Sequence, residues 1–83
     1  MSLHRFVYVL ESVVAPGRHY TGVSSDPISR LDWHNAGLSR HTRKHGPWKL
    51  LVSIEFADAA VAIRFEKYLK TGSGRAFAKR HFG

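Results

Sequence analysis

Tyr8, Tyr20, Arg30, His34 and Glu66 are the side chains whose types and order could do chemistry together: two phenols twelve positions apart, a guanidinium, an imidazole and a carboxylate. They are the parts needed to cut a phosphodiester with one divalent metal. That reaction needs an activated water, charge neutralisation on the phosphoryl oxygens and help for the leaving oxygen. A tyrosine ionises near pH 10, so Tyr8 would act as a base only if a neighbouring cation, a metal-bound water or an imidazole drew its proton away. Arg30 could fork onto two non-bridging oxygens. His34, one helical turn later, could take a proton from a tyrosine or touch the phosphate.

Each residue also has a plainer reading. The tyrosines suit strand packing, Arg30 a solvated helix face, His34 a half-buried site, and Glu66 an i,i+4 pair with Lys70. Glu66 is nevertheless the discriminating acid. Asp26 and Asp58 read as helix caps, Glu11 and Glu55 sit near strand ends, and Asp32 lies two positions from both Arg30 and His34. Glu66 alone falls mid-helix beside an apolar stripe, where it could give an oxygen to Mg²⁺ or Mn²⁺ and leave positions for water and phosphate. One carboxylate argues against a two-metal site, with Asp32 as a further contributor to be tested.

These residues need a scaffold, and the hydrophobic pattern supplies one. Phe6 to Glu11 reads as a strand covered on both faces, with Phe6, Tyr8 and Leu10 on one and Val7 and Val9 on the other. Ala15-Pro16-Gly17 is a turn, and Arg18 to Val23 returns as a second strand, with the Tyr8–Tyr20 register left open. Asp26-Pro27 caps a helix to about Ala36, stopped by Gly37, with Ile28, Leu31 and Asn35 on its inner stripe and Arg30 and His34 on a neighbouring face. Trp48 to Phe56 alternates cleanly as a third strand. Asp58 caps a helix from Ala59 to Lys70 whose Val61, Ala62, Phe65 and Leu69 form an apolar face, and Thr71-Gly72 ends it. A last helix is expected over Arg75 to His81. The order is β-β-α-β-α-α, an α+β arrangement without repeats or linkers.

The 83 residues fit one domain, 1–83, with no room for a separate recognition domain. With no cysteine, disulfide scaffolds, thiolate zinc sites and cysteine nucleophiles are excluded. Met1-Ser2-Leu3-His4-Arg5 leads straight into a strand without an apolar signal region, and no run approaches a membrane span, so a soluble cytoplasmic protein is expected. The 13 Lys and Arg against 6 Asp and Glu give a charge of +7, which points to a polyanion. A membrane surface would want a basic amphipathic helix. The cations concentrate instead in Arg40-His41-Thr42-Arg43-Lys44-His45, where Arg40, Arg43 and Lys44 are expected to contact DNA along with Lys67 and Lys70 near Glu66. The two histidines of that segment lack the glutamate of a zinc protease motif, and Trp48 suits a core strand better than base stacking.

Taken together, Val7-Tyr8, Tyr20-Thr21-Gly22, Asp26-Pro27, Arg30-Leu31, His34-Asn35, Trp48-Lys49-Leu50 and Glu66-Lys67-Tyr68-Leu69-Lys70 closely resemble the GIY-YIG nuclease family. The likeness runs from about Phe6 to Phe82 and is greatest to small single-domain bacterial members related to the N-terminal nuclease domain of the excision-repair C subunit. It implies a three-stranded antiparallel sheet flanked by helices. It also implies roles: Tyr8 activates the water, Tyr20 lies against the phosphate or nucleophile, and Gly22 closes the second motif. Arg30 then binds phosphate, His34 takes the tyrosine's proton, and Glu66 holds the metal. Three departures stand out. Phe6-Val7-Tyr8 lacks the glycine and isoleucine of the first motif, Val23-Ser24-Ser25 lacks a lysine some members carry, and Thr71-Gly72-Ser73-Gly74 lacks a late asparagine.

The leading expectation is a metal-dependent endonuclease hydrolysing DNA, structure-selective or weakly specific because so small a domain has little surface for reading bases. The competing class is a non-catalytic basic module that binds nucleic acid on the same fold. Covalent attack by a tyrosine is disfavoured, since no His-x-His pair occurs. No residue separates DNA from RNA. A homodimer or a partner protein could supply what one chain lacks.

Overall fold

The computed structural model describes residues 5–83; Met1 to His4, read above as a lead-in to the first strand, lie outside the described residues. Strand β1 (Phe6–Ser12) is the centre of an antiparallel sheet of order β2-β1-β3, with β2 (His19–Ser24) and β3 (Trp48–Glu55) at its edges. Helix α1 (Pro27–Asn35) follows β2, and α2 (Ala59–Leu69) and α3 (Gly72–Phe82) follow β3. The three-stranded α+β arrangement expected from the pattern is the one observed.

Alternation along β1 divides the core. Val7 and Val9 point to one face and join Ala62 and Leu69 of α2, with Phe65, Phe77 and Phe82 packed around them. Tyr8 and Leu10 point to the other, where they meet Trp48, Tyr20, Leu50 and Leu31 of α1. A central strand buried on both faces explains the run of four fully buried residues, Val7 to Leu10.

The register left open by the sequence pairs Tyr8 with Gly22 and Leu10 with Tyr20. Glycine is required opposite Tyr8, because a Cβ at position 22 would lie 2.6 Å from the Tyr8 hydroxyl oxygen. The close approach sets the phenol over the β2 backbone.

Several expectations need correction. The alternation of the third strand is broken: Val9 pairs with Val52 but Leu10 with Leu50, so Leu51 is the extra residue of a bulge, and Leu51 and Val52 both pack on the α2 side. Phe56 lies just beyond β3 and is held by its N–H donating to the Arg5 carbonyl. Ile28 is 60% exposed rather than on the inner stripe of α1, which buries Pro27 and His34 instead. Thr71 does more than end α2; it caps α3 from its hydroxyl to the Gly74 N–H, so α3 begins at Gly72 rather than near Arg75. Gly74 is itself pinned there. Any Cβ would collide with the Tyr68 carbonyl oxygen and Leu69 Cα, so the α2–α3 corner closes only over glycine.

The caps read from Asp26 and Asp58 form as expected, accepting from the N–H groups of Ser29 and Ala60. Gly37, at φ 78°, stops α1. No helix among the described residues is long and apolar enough to cross a membrane.

Candidate active site

The α1 face of the sheet carries a chain of buried polar groups. The Tyr8 hydroxyl lies 2.9 Å from His34 Nε2, and His34 Nδ1 lies 2.7 Å from Thr42 Oγ1. Thr42 is fully buried, and its carbonyl accepts from the Trp48 indole N–H at 2.8 Å. Asn35 closes the network: its amide donates to the Trp48 carbonyl and accepts from the Trp48 N–H. Helix α1, the segment before β3 and strand β1 are thereby locked together at one point.

The electrostatics set the resting protonation states. Burial above all, with Tyr20 and the Glu66 carboxylate adding to it, pushes the Tyr8 phenol up to about 12 against the pull of Arg30. Burial, then Arg30, hold His34 below the ordinary imidazole value, so the ring is neutral near pH 7. A neutral imidazole has one donor and one acceptor nitrogen. With Tyr8 protonated, the tautomer in which its O–H donates to Nε2 has the Nδ1–H donating to Thr42.

The other expected residues gather at the mouth of this chain. The Tyr20 ring lies 4.8 Å from that of His34 and 6.3 Å from that of Tyr8, centroid to centroid. Arg30 is not freely solvated; its guanidinium stacks 4.6 Å above the Trp33 ring, and its charge is felt by both Tyr8 and His34. Glu66 is mostly buried and forms the plain i,i+4 pair with Lys70, yet is close enough to Tyr8 to oppose its ionisation. Among the described residues no three of His, Cys, Asp and Glu converge, so a fully protein-caged metal is not built here. Asp32 is exposed on α1.

Of the basic residues expected at DNA, Arg40, Arg43, Lys44 and Lys67 are exposed, while Lys70 is engaged with Glu66. The segment expected as a plain polar loop contains a single 3-10 turn, Arg43–His45, and turns Thr42 inward. Thr42 and Asn35 are the residues that sequence reasoning missed as parts of the site. The available signal was slight: a lone uncharged residue inside a run of cations, and an amide next to His34.

A three-stranded sheet flanked by helices, with a tyrosine–imidazole pair buried under one of them and arginine and glutamate nearby, defines an α+β domain. The model of the GIY-YIG catalytic domain matches residues 4–80, and the chain belongs to that family. It is 35% identical over 82 residues to a structure-specific endonuclease subunit SLX1 of Candida dubliniensis, covering 90% of this chain and 27% of that protein. It is 37% identical over 78 residues to a UPF0213 protein of Aeromonas hydrophila, covering 93% of this chain and 55% of the relative. The chain thus spans about half or less of the length of these relatives. Its structure is similar to the solution structure of a UPF0213 protein from Bacillus halodurans, with TM-score 0.56, 28% identity and coverage of 95% of this chain and 86% of the other.

Proposed function

We propose that this single domain, residues 1–83, is a divalent-metal-dependent endonuclease that hydrolyses DNA phosphodiesters, selecting by DNA form or only weakly by sequence. The observation that carries the reading is the buried chain Tyr8–His34–Thr42, in which a phenol is poised to hand its proton to a neutral imidazole. Membership of the GIY-YIG family and similarity to proteins named structure-specific endonuclease subunits support it. The word subunit in those names favours action with a partner protein.

In this reading the Tyr8 oxygen draws a proton from water while its own proton passes to His34 Nε2. The water oxygen bonds to phosphorus, and the opposite phosphorus–oxygen bond breaks, its electron pair leaving on the sugar oxygen, which takes a proton from solvent. With Tyr8 near 12 and His34 below its ordinary value, that transfer is uphill in the free protein. Arg30 favours loss of the Tyr8 proton but opposes protonation of His34, so its part is to pair with the phosphoryl oxygens, and Tyr20 steadies the phosphate. Thr42 holds the His34 ring so that Nε2 faces Tyr8. Glu66 suits a hard cation bound through one carboxylate plus water and phosphate oxygens, and would hold Mg²⁺ or Mn²⁺. When bound, such an ion supplies positive charge against that developing on the phosphoryl oxygens.

The Glu66–Lys70 pair favours a second reading, a non-catalytic nucleic-acid-binding module in which that carboxylate is purely structural. Incubation with branched, flapped, single-stranded and duplex DNA in Mg²⁺ or Mn²⁺ decides. Metal-dependent cleavage lost in Glu66→Ala and in Tyr8→Phe is expected. Cleavage surviving both substitutions contradicts the mechanism, and binding without cleavage on any substrate supports the module.

A further inference from the structure

At the outer edge of β2 the surface opens into a groove of about 920 Å³ between the β1–β2 turn and α3. Arg18, His19, Lys70, Arg75 and Lys79 line it, and no aspartate or glutamate does. Arg75 and Lys79 stand one turn apart on the same face of α3, an arrangement in which like charges repel. Among the described residues neither they nor Arg18 pair with a carboxylate, whereas Arg5, His19, Lys49 and Lys70 each do. A concentration of uncompensated positive charge in a concave surface is relieved by a polyanion.

The groove borders the candidate active site. Tyr20 and Lys70 line it, and the same residues touch His34 on one side and Glu66 on the other. We propose that this groove carries the sugar–phosphate backbone of the DNA strand as it runs past Tyr20, with Arg18, Arg75 and Lys79 contacting successive phosphates. The inference rests on the reading of DNA as substrate. It also shifts the main contact surface away from the Arg40–His45 segment. Backbone contacts of this kind position a strand without reading its bases, which suits selection by DNA form.

The test is equilibrium binding of a labelled flapped duplex, without divalent metal, over a salt series. It compares the wild-type chain, Arg18→Ala/Arg75→Ala/Lys79→Ala, and a control of equal charge change away from the groove, Arg5→Ala/Lys49→Ala/Arg64→Ala. Each duplex phosphate contact adds about 0.9 to the slope of log affinity against log salt, so the groove variant should lose about 2 to 3 from that slope. All three groove residues are exposed, and circular dichroism checks that the variant folds. Unchanged affinity and slope in the groove variant, or an equal loss in the control, overturns the groove; if that protein still cleaves, the nuclease reading stands. A selective loss of binding in a protein that cleaves nothing keeps the groove and defeats the nuclease reading.

Discussion

The two faces of one strand do different work. On the α2–α3 face, Val7 and Val9 pack into an apolar cluster with Ala62, Leu69 and a group of phenylalanines. On the α1 face, Tyr8 and Leu10 are as deeply buried, but Tyr8 enters a chain of hydrogen bonds through His34 and Thr42 to Trp48. Apolar burial stabilises through area and tolerates rearrangement. A buried polar chain has fixed directions, and removing one member leaves its neighbours unsatisfied. The proposed chemistry sits on the face where position is most tightly specified, and the opposite face is expected to supply more of the stability.

Substitutions should separate the two. The largest effect is expected from Gly74→Val, which forces a side chain into the Tyr68 carbonyl and Leu69 backbone and should cost more than about 4 kcal/mol, abolishing a cooperative thermal transition. Leu69→Ala, in the apolar cluster, should lose about 3 kcal/mol in urea unfolding while cleavage per folded molecule stays near wild type. A matching loss of rate at full folding would erase the division of labour.

Thr42→Val sharpens the comparison from the polar side. It leaves the His34 Nδ1–H buried without an acceptor, which should cost about 1 to 3 kcal/mol. The ring is then free to reorient or change tautomer, so the single-turnover rate should fall about tenfold and the acid limb of its pH profile should move, with Thr42→Ser restoring both. A rate change without movement of the profile would reduce Thr42 to packing.

The smallest effect is in stability against pH. Burial first, and Arg30 second, hold folded His34 below the ordinary imidazole value. As the pH falls, the unfolded chain therefore binds this proton before the folded chain does. Stability should decline from about pH 6.5 downward until folded His34 titrates. His34→Gln should flatten that decline, with a residual slope from His45, which burial and then Arg18 and Lys44 also hold low. An unchanged slope would show that His34 is not shielded.

Much of the scaffold was legible because its signals are local. Asp26-Pro27, Asp58 and Gly37 carry cap and stop chemistry in the residues themselves, and the apolar runs of β1 and α2 match what is buried. The Leu51 bulge was not legible, because an unbroken alternation gives no sign of which residue lacks a partner. Thr71 was read as an ending because a short polar run after a helix looks the same whether it stops one helix or caps the next. In the site, reactive residue types were recognisable in order, and the structure brings Tyr8, Tyr20, Arg30 and His34 together. Thr42 and the Asn35 clamp on Trp48 were missed because their roles depend on contacts 8 and 13 residues away in the chain.

The claim that the α1 face makes the cut rests most heavily on one hydroxyl. Single-turnover cleavage of a flapped duplex at saturating enzyme and Mg²⁺, wild type against Tyr8→Phe with folding verified by circular dichroism, tests it directly. The account predicts a folded variant, weakened by about 1 to 2 kcal/mol for the unpaired His34 nitrogen, whose rate falls about 10²- to 10⁴-fold. A folded Tyr8→Phe protein that cuts at the wild-type rate would contradict it.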